Sequence, residues 1–211
     1  MQKIWFTSDT HFQHKNALKH CPKRLELLKD VSEDNLLSEH DKMLIDIWNS
    51  NINKKDIVYH LGDFSFANAE ENKKLFGRLN GEKFLIIGNH DKSSVGLTGY
   101  FKQIIHLKEV MFKKNNFPFL KEDLYVVMSH CPMLTWNRKP YGAVHLHGHE
   151  HGRIDMHNFV NYDLRFDVGL DSHLTNFRPL SLEDVNRLVE RKTTGYSIAS
   201  YIEKYKRQML F

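Results

Sequence analysis

Residues 56–63 read DIVYHLGD. Ile57, Val58, Tyr59 and Leu61 form a short run of β-branched, aromatic and aliphatic side chains, the composition of a buried strand. The run stops at Gly62, and a carboxylate, Asp63, follows at once. The same arrangement recurs in both directions along the chain. KIWFTS (3–8) precedes Asp9, KFLIIG (83–88) precedes Asn89, LYVVMS (124–129) precedes His130, and YGAVHLHG (141–148) precedes His149. A turn explains why a polar residue follows a strand. It does not explain why Asp, Asn or His stands there each time.

Helix-like segments lie between the runs. Residues 34–50 place Leu37, Met43, Leu44, Ile47 and Trp48 near one helical face, with Asp34 as N-cap. Residues 67–80 read as a second helix stopped by Gly81, and 181–192 open on SLED, which resembles a capping box. Residues 196–209 form a last amphipathic segment. Its apolar face, Tyr196, Ile198, Tyr201, Ile202 and Tyr205, would dock on the core or pair with another chain. Strands alternating with helices predict an α/β layered fold, in which ligands gather beyond the carboxyl ends of the strands. Five strands ending in metal-competent side chains would then share one site.

Composition sets the outer bounds. The 211 residues are 41% hydrophobic and 27% charged, which suits a single globular domain over 1–211. No apolar run approaches the roughly 20 residues that span a bilayer, and no signal peptide is evident. Two cysteines, Cys21 and Cys131, suggest no disulfide framework, so a cytoplasmic setting is expected. The net charge of +4 is a mild basic lean, much of it in the C-terminal stretch. That stretch reads as a solvated helix face, with a phosphate-tracking patch as the alternative.

The order of short motifs carries more. SDTHF supplies Asp9 and His11, LGDFSF supplies Asp63, GNHD supplies Asn89, His90 and Asp91, SHCP supplies His130, and GHEHG supplies His149 and His151. In this order they resemble the calcineurin-like metallophosphoesterase superfamily, and DTHFQHKN and YHLGDF resemble a small bacterial and phage-type subgroup within it. The resemblance implies a four-layer α/β sandwich, with two mixed β-sheets face to face and helices outside. It also implies two divalent cations, about 3.5–4 Å apart. One would take Asp9, His11, Asp63 and His151, and the other Asp63, Asn89, His130 and His149, with Asp63 as the bridge. A water between them would be the nucleophile. His90 would stand near the substrate, protonating the leaving oxygen or steadying a phosphoryl oxygen, and Asp91 would keep it charged and oriented.

HLHGHEHG (145–152) contains four alternating histidines. The family pattern selects His149 and His151. His145 and His147 share one strand face and read as packed or hydrogen-bonded residues, with orientation of a ligand by His147 as the alternative. Parallel side chains on a strand do not surround an ion, which weighs against a four-histidine zinc site. His14 and Asn16 would stand at the site rim or cap the first loop. Arg153 would reach a substrate phosphate or form a surface salt bridge. His60 reads as a buried, hydrogen-bonded residue, and Cys131 as a small packed one.

Departures from the pattern narrow the branch. GDFSFAN and GNHD are not the GDxxDRG and GNHE of Ser/Thr protein phosphatases. Phe66 stands where purple acid phosphatases carry a metal-bound tyrosine. Only 39 residues separate His90 from His130, leaving little room for a cap, so an open site is expected. Such a site suits phosphodiesters of nucleotide or nucleic-acid type. The alternatives are a phosphomonoesterase acting on nucleotides or small phosphates, and an inert metal-containing scaffold that binds nucleic acid. Carboxylate, amide and imidazole ligands without thiolate suit manganese, iron, zinc or nickel. The resemblance favours manganese, with iron–zinc as an alternative. Oligomeric state is left open.

Overall fold

Nine strands and six α-helices are defined in the computed structural model, which describes residues 2–92, 98–160 and 163–193. The strands are β1 (Ile4–Thr7), β2 (Ile57–His60), β3 (Glu82–Ile86), β4 (Gln103–Ile105), β5 (Leu107–Phe112), β6 (Leu124–Ser129), β7 (Val144–His147), β8 (Arg165–Asp167) and β9 (Leu180–Ser181). The helices are α1 (Lys15–His20), α2 (Pro22–Leu27), α3 (Leu36–Asn51), α4 (Ala69–Arg78), α5 (Asp155–Val160) and α6 (Leu182–Thr193). All five apolar runs are strands, each ending just before its Asp, Asn or His.

Two mixed sheets result. One has the order β4-β3-β2-β1-β9, parallel except for β9. The other has the order β5-β6-β7-β8, parallel except for β5. Ile4 and Phe6 of β1, with Tyr59, Leu61 and Ile86, pack against Val126, Met128, Val144, Leu146 and Phe166 of the second sheet. Trp5, Val58 and Leu85 point the other way, onto Leu44, Ile45 and Trp48 of α3 and Leu75 and Phe76 of α4. Burial on both faces is why β1 is apolar without alternation. On the far side of the second sheet, Val127 packs on Trp136 and Ala143, and Asn158 of α5 hydrogen-bonds His147 and Arg165. Fold class and two-sheet architecture match the expectation.

Of the two helix-start signals read from the sequence, the one at SLED held and the one at Asp34 did not; the helix expected over 67–80 runs over Ala69–Arg78, ending before Gly81. The Asn68 side chain accepts from Glu71 N at 3.0 Å, while the Glu71 carboxylate accepts from Asn68 N at 3.2 Å. Ser181 and Asp184 make the same reciprocal pair at 3.1 and 2.9 Å. Asp34 is not an N-cap. It lies in a 3-10 turn over Glu33–Asn35, and α3 starts after it without a side-chain cap. The amphipathic segment 196–209 lies outside the described residues. Among those described, no helix is long and apolar enough to cross a membrane.

Candidate metal centre

The polar residues at the strand ends converge because the backbone reverses sharply there. Asp9, His11, Asp63, His149 and His151 have φ of 55°, 50°, 54°, 71° and 50°. Left-handed backbone costs an L-residue roughly 1–2 kcal/mol, so five instances in one place mark a strained, over-determined site. Cross-ties hold it. Asp9 N donates to Gly62 O at 3.0 Å, His11 N to Asp63 O at 3.1 Å, and His149 N to the Asp9 carboxylate at 3.0 Å. Close approach also needs glycine. A Cβ on Gly88 would fall on Asp63, and one on Gly148 would fall on Ser8 and Asp9.

Six of the seven residues predicted as ligands place side-chain donor atoms around one point. His11 Nε2 lies 3.9 Å from Asp9 Oδ1, 3.7 Å from Asp63 Oδ2 and 3.3 Å from His151 Nε2. His151 Nε2 is 3.7 Å from Asp9 Oδ1. His130 Nε2 is 3.5 Å from Asp63 Oδ2 and 2.9 Å from Asn89 Oδ1. Two carboxylate–histidine groups, Asp9–His11–His151 and Asp9–Asp63–His130, have all donor atoms within 4.8 Å and could each hold a cation. His149, the seventh, stands beside them rather than in them, its ring 5.1 Å from that of His130. The outer ring nitrogens are already engaged. His130 Nδ1 donates to Leu61 O and His151 Nδ1 to Asp171 Oδ2, both at 2.7 Å. These bonds turn each Nε2 inward, as a metal ligand requires.

The electrostatics favour positive charge among these groups. Burial pushes Asp9 up to about 6, against the pull of His151 and His130. Burial and then Arg24 push His11 down to about 2. Burial also opposes protonation of His130 and His151. It is outweighed by hydrogen bonds to Asp63 and Asp171, which hold the two histidines at about 9 and about 10. Asp63, despite burial, is held below the usual carboxylate range, chiefly by His130. Imidazole nitrogens 3.3 Å apart repel each other unless a proton or cation lies between them. The donor set therefore fits divalent cations.

A depression of about 210 Å³ opens over these groups, with His14, His90, His149 and Arg153 in its lining. His90 is exposed there, its ring 6.0 Å from that of His11 and its backbone N–H donating to Asp63 Oδ1 at 2.9 Å. His14 belongs to the rim, stacked on Phe66 with ring centroids 3.6 Å apart. Asn16 is exposed on α1 and does not line the depression. Arg153 does line it.

Asp91 does not do what the sequence suggested. Its buried carboxylate accepts from the backbone N–H of Asp63, Phe64 and Gly88, each at 2.8 Å, so it organises the two turns rather than His90. Its three nearest donors come from turns that only folding brings together. Cys131 is exposed rather than packed. His145 and His147 are buried, as expected. His145 bonds Met133 N and Val127 O, while His147 bonds Gly148 O and Asn158, so neither orients a ligand. His60 is buried and bonded to Thr10 Oγ1 at 3.0 Å. Not anticipated from the sequence are Asp171, which accepts from His151, and Arg24, which forks onto Asp171. The only signal was FDVGLDS, where two aspartates punctuate a return segment.

Comparisons with known proteins place the chain in a family and support its fold. Residues 2–153 match the family described as calcineurin-like phosphoesterase. An uncharacterized protein of Methanocaldococcus jannaschii is 29% identical over 194 residues, covering 90% of this chain and 93% of its own. The Gene 66 protein of Mycobacterium phage L5 is 26% identical over 199 residues, covering 82% of this chain and 88% of its own. A protein of unknown function from Aquifex aeolicus, known from its crystal structure, superposes with a TM-score of 0.65 at 21% identity. It covers 89% of this chain and 100% of its own, and the likeness bears on fold alone.

Proposed function

The chain belongs to the calcineurin-like phosphoesterase family of metal-dependent phosphoester hydrolases, and from that premise we propose that it is a two-cation phosphodiesterase acting on nucleotides or nucleic-acid ends. One observation carries the reading. Three histidine Nε2 atoms, the Asn89 amide oxygen and two buried carboxylates face one another beneath a small depression lined in part by His11, Asp63, Asn89 and His151.

Asp9, His11, Asp63 and His151 would hold one cation, and Asp63, Asn89, His130 and His149 the other. Asp63 suits the bridge because its Oδ2 stands 3.7 Å from His11 Nε2 and 3.5 Å from His130 Nε2. Manganese suits this thiolate-free set, as do iron–zinc and nickel. When bound, the cations supply charge to the phosphoryl oxygens and a nucleophile at neutral pH.

The protein's own contribution is to orient and to move a proton. At about 210 Å³ the depression is smaller than the ~300–1,000 Å³ of pockets that swallow a whole ligand. It suits a phosphoryl group whose two substituents lie outside. His90, which lines the depression, would protonate the leaving oxygen, and Arg153, also in its lining, would pair with a further phosphate. His90→Ala should retain cation binding and lose roughly 10²–10⁴-fold in turnover. Equal turnover in both proteins would refute that role.

The deciding experiment strips the protein of metal, restores manganese, and compares bis-p-nitrophenyl phosphate with p-nitrophenyl phosphate. Strong turnover of the diester supports the proposal. Turnover of the monoester alone replaces it with a phosphatase.

A further inference from the structure

Arg24 is the bulkiest side chain without exposed surface. A buried guanidinium persists only when its donors are matched, and here every N–H has a partner. Nε donates to Asp171 Oδ1 at 3.0 Å and Nη2 to Asp171 Oδ2 at 2.7 Å, a planar fork on one carboxylate. Nη2 also donates to Asp9 O at 2.6 Å. Nη1 donates to Thr10 O at 2.9 Å and to His40 Nε2 at 3.2 Å. Asp171 Oδ2 in turn accepts from His151 Nδ1 at 2.7 Å.

This arginine therefore touches both arms of one half of the candidate centre. Through Asp171 it sets the His151 ring, and through two carbonyls it pins the left-handed turn that carries Asp9 and His11. The other half is held by different groups, its two turns by the Asp91 carboxylate. His130 is oriented by a backbone carbonyl, Leu61 O, which no side-chain substitution removes. We infer that Arg24 and Asp171 are positioning residues that, through the His151 ring and the turn carrying Asp9 and His11, set the distance and ring orientation of the Asp9–His11–His151 cation site. The inference rests on the reading that these groups bind divalent cations.

The chemistry requires that pair at those positions. An ionised carboxylate accepts from the Arg24 fork and from His151 at once. In Asp171→Asn one oxygen must serve both, and the amide NH2 faces a donor. Lysine in place of Arg24 offers a point charge without the fork, so it cannot join Asp171 to the Asp9 and Thr10 carbonyls in one plane.

Metal-free wild type, Asp171→Asn and Arg24→Lys would be titrated with Mn2+ while free ion is followed by electron paramagnetic resonance. Asp184→Asn serves as a control, since it breaks an ion pair with Arg178 away from the site. Thermal unfolding in chelator shows which variants are folded, and either variant alone suffices. Loss of an orienting partner typically weakens metal binding 10–100-fold. The expected result is that size of loss at one of two sites, with the other within about twofold of wild type and the control unchanged at both. Equal weakening of both sites would mean general damage and would overturn the inference, as would no change at either. Wild type that binds no cation overturns the underlying reading as well. Wild type with two sites and an indifferent Asp171→Asn overturns only the positioning role.

Discussion

Replacing Asp91 by asparagine separates two roles for that residue, because only one of them predicts a large loss of stability. The carboxylate accepts from Asp63 N and Gly88 N with Oδ2 and from Phe64 N with Oδ1, each at 2.8 Å, and is 1% exposed. An amide keeps one oxygen for at most two of these donors and turns its NH2 toward the third. A buried donor left unsatisfied costs about 1–3 kcal/mol, and bonds to a charged acceptor exceed neutral ones by roughly 1 kcal/mol. The sum is near 3 kcal/mol. At roughly 2–4 °C per kcal/mol for a chain of this size, the melting temperature should fall by about 6–12 °C. The assay is thermal unfolding of the metal-free protein at pH 7.5, followed by circular dichroism. Manganese affinity should fall with it, since Asp63 and Asn89 ride on the two turns that Asp91 joins. If Asp91 instead serves His90, Asp91→Asn should melt within about 2 °C of wild type and shift a limb of the pH–rate profile. That pair of results would refute the reasoning.

Two further predictions concern protons. His130 and His151 have folded pKa values of about 9 and about 10, above the ordinary 6.5, so their contribution to the stability of the metal-free protein is complete below about pH 6.5 and lost as pH rises through those values. Cation binding at pH 7.5 should displace about two protons, one from each, read as the buffer dependence of the calorimetric enthalpy; no buffer dependence would contradict the assignment. Asp155 is raised to about 7 by burial and then by the charge of Asp167, and one of its oxygens is buried without a partner. Its folded pKa lies above its unfolded one, so stability declines as pH climbs from about 4 through 7. Asp155→Asn should melt higher than wild type at pH 8 and flatten that decline, and a lower melting temperature at pH 8 would sink the argument.

Much of the site is legible in the chain because its chemistry is local. Asp9, Asp63, Asn89, His130 and His149 each follow closely on a strand whose burial is written in three to five apolar residues. The capping pair Ser181–Asp184 was equally readable, being a contact three residues apart. Short β4, β8 and β9 carry too few residues to show a period, and they form strands only because a neighbour supplies hydrogen bonds. Asp91 shows the limit most clearly. Next to His90 in sequence, it looked like that residue's partner, yet the buried turns after β2 and β3 present three N–H groups that only its carboxylate can satisfy.

From sequence alone came the α/β class, the apolar strands, and which side chains would stand at their ends, since strand burial and the residue that breaks it lie within ten positions of each other. Tertiary structure alone decided how those side chains are held. Arg24 meets Asp171 across 147 positions, and His151 meets Asp9 across 142. No local pattern encodes such a meeting, because its free energy arises only when two sheets close over it and remove every alternative partner, water included.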